Sequence, residues 1–330
     1  MASGPQFFTD HWPGRTLSRY VRRASRSMRA QQNSNCGVSM VTSLPIENIS
    51  TTAFLTAYCR AVESDRPDAH FHDPYARLLA GMRGREALRR VPAPDLTVAS
   101  STVRTCQLDA LIVAAIRDHV IDTVLNLGAG LDMRPYRLPL PSDLRWVEVD
   151  QADVLSYKRG FGFDEPICRV EALALELTDP GARSDAFRQI GSGSRNLLVI
   201  TEGLLVYFTA EQVAAVARDL RGIARRRWWL TDIVSPAALE LIRRGRVDQP
   251  CDKDLELTFA PAEGAYFFRK WGWEPERVLW SLDEAERLRR WFIREELWSA
   301  RLSVRDRQIL QKLFAAVKFN GNRTNKETCA

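Results

Sequence analysis

Asp122-Thr123-Val124-Leu125-Asn126-Leu127-Gly128-Ala129-Gly130-Leu131-Asp132 decides the fold of this 330-residue chain. Its first half is a short apolar run of strand character that ends in glycine. A G-x-G step behind a strand lets the backbone turn sharply and approach a ligand closely. Taken alone, the same step also serves as a plain strand-to-helix turn. The third glycine of a dinucleotide fingerprint is missing, because Met133 or Arg134 stands where it would fall. The ligand is therefore not expected to present a pyrophosphate, which wants a helix N-terminus packed tightly by glycine.

Working outward, further apolar runs alternate with helical patterns. Leu144 to Asp150 (LRWVEVD), Arg169 to Leu177, Asn196 to Gly203 (NLLVITEG) and Trp228 to Val234 (WWLTDIV) read as strands, and Ala210 to Ala224 as an amphipathic helix. Arg277 to Ser281 and Leu313 to Phe319 are expected to close the sheet. Upstream, Ile49 to Arg60, Ala76 to Gly81 and Leu108 to His119 read as helices, with a turn at His72-Asp73-Pro74-Tyr75. Near-continuous apolar strands between helices predict an α/β fold: a doubly wound, mostly parallel, seven-stranded Rossmann-like sheet covered on both faces.

The net charge of +6 resembles a nucleic-acid signal until it is located. Residues 1–40 hold Arg15, Arg19, Arg22, Arg23, Arg26 and Arg29 against the single acid Asp10, so +5 lies there and +1 on the remaining 290 residues. A near-neutral body does not form a phosphate-binding surface, so no nucleic-acid partner is expected. No apolar run is long enough to span a bilayer, so no membrane partner is expected either. Cys36, Cys59, Cys106, Cys168, Cys251 and Cys329 form no C-x-x-C pair. Their wide spacing argues for reduced thiols in a cytoplasmic protein, not for zinc or another metal.

In open α/β sheets ligands lie beyond the carboxyl ends of the strands, which singles out the acids there. Asp150 ends the second strand, twenty residues after Gly130. A carboxylate at that point can accept both hydroxyls of a ribose, as in NAD and S-adenosylmethionine sites. Glu202, in Thr201-Glu202-Gly203, can face a cationic ligand group. Glu176-Leu177 follows the third strand, where an adenine ring is expected. Tyr207 lies just beyond Glu202 and could line an acceptor pocket. Tyr266, Phe267, Phe268, Trp271 and Trp273 form an aromatic stretch that reads either as core or as the wall of a pocket for a flat acceptor.

These elements together resemble the leucine carboxyl methyltransferase family, particularly its bacterial branch of polyketide-type O-methyltransferases. The resemblance rests on Ser50 to Gly81, Val103-Arg104-Thr105, Val124 to Leu138 (VLNLGAGLDMRPYRL), Trp146 to Arg159 (WVEVDQADVLSYKR), Thr201 to Phe208 (TEGLLVYF) and Phe259 to Trp273, in the family's order. It implies S-adenosyl-L-methionine as cofactor, with Arg104 on its methionine carboxylate and Gly128, Gly130, Asp150, Glu176, Leu177 and Glu202 around it. Arg60 falls loosely on a further basic contact. The adenine-side pair is Glu-Leu here where relatives often carry Asp-Leu. It also implies methylation of a carboxylate or hydroxyl on a small molecule, such as a polyketide-like metabolite of secondary metabolism. No histidine sits beside these elements, which favours a carboxylate acceptor, since a carboxylate needs no general base. The alternatives are an NAD-dependent oxidoreductase, which would share the G-x-G step and Asp150, and a non-catalytic S-adenosylmethionine-binding protein.

Residues 1–43 read as a disordered basic extension, 44–320 as the methyltransferase domain with a helical cap over 44–120 and a lid over 235–272, and 321–330 as a frayed tail. Met40 is the expected true start. A chain beginning at Met40 should fold, bind cofactor and melt like the full-length chain, a comparison for calorimetry. A large loss of cofactor affinity on truncation would instead make residues 1–39 a flap over the site.

Overall fold

A computed structural model describes residues 51–91, 93–246, 257–290, 312 and 314–322, all within the unit Ile46–Ala330. The basic extension, the Met40 start, the middle of the expected lid and the end of the tail lie outside the described residues. Helices α1 (Thr51–Ser64), α2 (Ala76–Arg90) and α3 (Pro94–His119) precede the first strand. Then follow β1 (Thr123–Leu127), the single turn α4 (Arg134–Arg137), β2 (Arg145–Asp150), α5 (Ala152–Arg159), β3 (Arg169–Ala174), α6 (Pro180–Ser192) and β4 (Asn196–Thr201). A 3₁₀ turn (Leu205–Tyr207) leads to α7 (Ala210–Arg221), β5 (Arg226–Val234) and α8 (Pro236–Arg246). A second 3₁₀ segment (Gly264–Trp271), β6 (Glu274–Trp280), α9 (Ser281–Leu288) and β7 (Phe314–Asn320) complete the described chain.

The strands form one sheet in the order β3-β2-β1-β4-β5-β7-β6. β1 to β5 are parallel, and β7 runs antiparallel between β5 and β6. This is the doubly wound, mostly parallel sheet that the strand pattern predicts. Its order reverses at β1 and β4, which opens the crevice for a ligand. Alternate residues of the inner strands face opposite layers, so these strands are apolar at most positions. Leu125, Leu127, Val147, Val149, Val199 and Trp229 pack with Phe187 of α6 and Val213, Val216 and Leu220 of α7. Val124, Trp146, Leu198, Ile200 and Leu230 pack on the other face against Leu108, Leu111, Ile112 and Ala115 of α3.

Local chemistry explains the starts of two helices. Thr209 and Gln212 form a reciprocal capping box at the start of α7. Asp179 caps α6 by accepting from the amides of Gly181 and Ala182, with Pro180 in the first turn. Two helices are longer than the sequence pattern suggests. α2 continues past Gly81, which is kinked at φ +53° and ψ −153°. α3 begins at Pro94, not near Leu108. Its first half (VASSTVRT) is rich in hydroxyl residues that blur the apolar period. Thr97 and Thr105 bond back to the carbonyls of Ala93 and Ser101 within the helix, which accommodates them there. β3 and β4 stop at Ala174 and Thr201, so Glu176, Leu177, Glu202 and Gly203 lie in the turns behind them.

The aromatic stretch is largely core. Phe268 and Trp273 are fully buried and meet Trp229 edge-on at centroid distances of 5.1 and 5.3 Å. Trp273 donates its indole N–H to the carbonyl of Ala217. Only Tyr266 of the five is well exposed. The pocket-wall reading is thereby withdrawn for Phe268 and Trp273.

Gly191, near the end of α6, packs directly against the backbone that follows α7. A Cβ there would lie 1.6 Å from the carbonyl oxygen of Ile223. Gly191→Ala should destabilise the fold by about 3 kcal/mol, the upper range for forcing an atom into a packed interior. A lowered denaturation midpoint at unchanged slope would check it.

Candidate functional site

The loop behind β1 is built from glycines with left-handed backbone, φ +64° at Gly128 and +50° at Gly130. The amides of Gly128 and Ala129 donate to the Val149 carbonyl at 2.8 and 3.1 Å, which ties the loop to the end of β2. A Cβ on Gly128 would strike Leu204, whereas one on Gly130 would meet nothing closer than 3.9 Å. The first glycine is thus fixed by packing, and the second leaves room above the loop. Asp150 stands at the mouth of this loop. One carboxylate oxygen accepts from the Gly130 amide at 2.6 Å and the other from the Gln151 amide at 2.7 Å. These bonds fix the side chain and leave a lone pair on each oxygen. Burial pushes its pKa up from the ordinary value, against the two amide bonds.

Behind the loop runs a chain of buried charges. Arg134, 3% exposed, reaches Asp109 at 2.6 Å, Asp132 at 3.0 Å and Glu202 at 2.7 Å. The other oxygen of Glu202 accepts from Arg104 Nε at 3.0 Å, and Arg104 Nη1 donates to Asp232 at 3.2 Å. Asp232 also accepts from the Gly203 amide at 2.7 Å, which holds the turn behind β4. In the other direction Arg137 forks onto Asp109 at 2.6 and 3.0 Å and lies 4.0 Å from Asp73, which pairs with Arg60 at 3.0 Å. Five carboxylates and four guanidiniums make this chain, an excess of one negative charge.

Neighbouring charges favour the ionised forms of Glu202, Asp132 and Arg104. Burial drives the Glu202 pKa up, but Arg134 and Arg104 outweigh it and hold the carboxyl below its ordinary value. For Asp132, burial is likewise overcome by Arg134, Lys158, Arg137 and Arg60. Burial disfavours the charged Arg104, yet Glu202 and Asp232 raise its pKa above the usual range. With Nε and Nη1 aimed at those two acids, Arg104 keeps donors for a further carboxylate.

The structure brings Gly128, Gly130, Asp150, Arg104 and Glu202 to the carboxyl ends of β1, β2, β4 and β5. Glu176 stands beside Asp150, sharing Gln151, whose side-chain amide donates to it at 3.2 Å. Leu177 turns its side chain into the core. Tyr207 lies in the turn behind Glu202, half-buried and near enough to act electrostatically on Arg104. Arg60 is committed elsewhere: it donates to Asp73 and, at 2.6 Å, to the Leu131 carbonyl, so it braces the glycine loop from α1. Sequence reasoning missed Asp109, Asp132, Arg137 and Asp232, and took Arg134 only as a missing glycine. The available signal was Asp132-x-Arg134 directly behind G-x-G.

A family model described as leucine carboxyl methyltransferase matches residues 53–221. A protein of Parafrankia sp. (strain EAN1pec), provisionally named an S-adenosyl-L-methionine-dependent methyltransferase, is 32% identical over 66% of this chain and 73% of its own length. A protein of the same provisional name from Mycobacterium sp. (strain KMS) is 28% identical over 69% and 84%. Crystal structures of a DUF574 family protein from Streptomyces avermitilis MA-4680 and of a provisionally assigned methyltransferase from Thermobifida fusca YX share the fold. Their TM-scores are 0.52 and 0.51, their identities 15% and 18%, and they align with 82% and 86% of this chain and 96% and 99% of their own.

Arg134→Met should leave Asp109, Asp132 and Glu202 without their common cation. Breaking a buried pair in this way costs about 3–5 kcal/mol. Thermal and denaturant unfolding of the full chain would measure it, and an unchanged midpoint would contradict the network.

Proposed function

The chain belongs to the leucine carboxyl methyltransferase family, and from that premise we propose that it methylates an oxygen of a small molecule, a carboxylate first and a hydroxyl second. It is an S-adenosyl-L-methionine-dependent methyltransferase. The residues present fit that cofactor. Its sulfonium, ammonium and carboxylate sum to one positive charge, which complements the single excess negative charge of the buried chain. A dinucleotide pyrophosphate would instead face Asp132, Glu202 and Asp232, so the oxidoreductase reading is not favoured. Gly130 leaves space above the loop, Asp150 offers two lone pairs to a ribose, and Arg104 offers a fork to a carboxylate.

The bound cofactor supplies an activated methyl on a good leaving group. What remains for the protein is to align the acceptor oxygen with that methyl and exclude water. Arg104 would hold the methionine carboxylate, and Asp150 and Glu176 the adenosine side. Tyr207, at the rim beside Arg104, would line the acceptor position.

The observation that carries the carboxylate reading is the placement of the three histidines among the described residues. His70 and His72 bond to the carbonyls of Leu288 and Ser64 in the N-terminal helices' loop. His119 ends α3 near the amino end of β5, opposite the carboxyl ends that carry the site, stacked on Trp228. A carboxylate acceptor needs no base of this kind at neutral pH. The resemblance to polyketide-type relatives supports a polyketide-like acid as acceptor.

Full-length protein incubated with methyl-labelled cofactor and panels of small carboxylic acids and phenols tests this reading. A methyl ester releases labelled methanol in mild base, and a methyl ether does not. Base-volatile label on an acid is the expected result. Base-stable label on phenols alone would overturn the carboxylate preference.

A further inference from the structure

Arg183 is a fully buried arginine outside the charge chain described above. It sits in the first turn of α6, 2% exposed, and its fork closes on Asp219 of α7 with Nε at 2.8 Å and Nη2 at 2.7 Å. Its remaining nitrogen, Nη1, donates to the carbonyl of Leu177 at 2.7 Å. That carbonyl belongs to the loop behind β3. In a trans peptide the C=O and the following N–H point in opposite directions. Anchoring the Leu177 carbonyl toward α6 therefore turns the Thr178 amide outward. The Thr178 amide donates to Glu176 Oε1 at 3.0 Å, and the Thr178 hydroxyl donates to the same oxygen at 2.7 Å. The second oxygen of Glu176 takes the Gln151 amide at 3.2 Å, beside Asp150.

We propose that Arg183, clamped by Asp219, is a positioning residue for Glu176. It fixes the peptide plane between Leu177 and Thr178 and thereby holds the Glu176 carboxylate at the adenosine end of the crevice. The inference rests on the reading of Glu176 as a cofactor contact. Arg183 touches no ligand in this scheme. Glu176 is exposed and joins no helix or strand, so a loop of this kind needs an internal anchor to present one fixed carboxylate. Asp219 matches the charge that burial of Arg183 would otherwise leave uncompensated. A lysine at 183 could reach Asp219 or Leu177, but it lacks the planar fork that serves both.

The test is a mutant cycle read by calorimetric titration of the full chain with S-adenosylhomocysteine. The variants are Arg183→Lys, Asp219→Asn, Glu176→Ala and the double variant of Arg183→Lys with Glu176→Ala. Each single variant should weaken binding by about three- to tenfold, the range for one lost hydrogen bond. The double variant should bind no more weakly than Glu176→Ala alone, because Arg183 acts only through that carboxylate. In methyl transfer, Arg183→Lys should raise KM for the cofactor and leave kcat at saturation unchanged. Unfolding midpoints separate this from simple loss of fold, and Asp219→Asn, half-exposed at its site, serves if Arg183→Lys fails to fold. Additive losses in the double variant would overturn the link and leave Arg183 a structural anchor. Wild-type affinity of Arg183→Lys with Glu176→Ala weakened would overturn it as well. Wild-type affinity of Glu176→Ala would remove Glu176 from the cofactor site, and with it the reading on which the inference rests.

Discussion

The site depends on the burial of the Arg134 guanidinium. A charge that loses its water must be matched by carboxylates of good geometry or it destabilises the fold. Arg134 is matched three times, by Asp109 of α3, Asp132 of the glycine loop and Glu202 of the turn behind β4. One side chain thus fastens together three separate stretches of chain. Each of those acids in turn holds or neighbours another arginine, so the network extends from Asp73 to Asp232, its loosest contact being Arg137 to Asp73 at 4.0 Å.

This arrangement also sets the electrostatic character of the crevice. The buried chain carries one more carboxylate than guanidinium, and Asp150 and Glu176 stand in front of it. In the reduced dielectric of a crevice such a surplus attracts a ligand of net positive charge and repels a phosphate-rich one. The same cofactor question that the missing third glycine raises in the sequence is thereby answered again, by independent physics. Arg134 connects the two answers, since it stands at or directly beside the place of that glycine and organises the acids.

Two arginines act on backbone in place of ligand. Arg60 reaches the Leu131 carbonyl behind β1, and Arg183 reaches the Leu177 carbonyl behind β3. Loops at strand ends carry carbonyls that the ladder no longer pairs. A guanidinium from a neighbouring helix satisfies such a carbonyl and fixes the loop. The packing of α1 and α2 around Leu131 and Met133 reinforces the first of these contacts.

The sequence by itself determined the sheet. Apolar runs such as Asp122 to Gly128 and Asn196 to Gly203 are local signals, because strands buried on both faces are apolar along most of their length. It also determined Gly128, Gly130 and Asp150, since a glycine turn followed by a strand-terminal acid is a short-range pattern. Arg104, Glu176, Leu177 and Glu202 came through resemblance. The start of α3 is hidden by hydroxyl residues that blur the apolar period, of which Thr97 and Thr105 bond back to helix carbonyls. Only the tertiary structure decided the partners. Arg104 and Asp232 lie 128 residues apart, and Arg183 and Asp219 lie 36 apart. Pairing over such distances is set by which strand ends and helices the fold brings together, and no periodicity along the chain encodes it. For the same reason neither the contact of Arg60 with the Leu131 carbonyl nor the place of Arg183 between α6 and α7 is legible in the sequence. An isolated arginine in a sequence looks exposed until the packing shows what surrounds it.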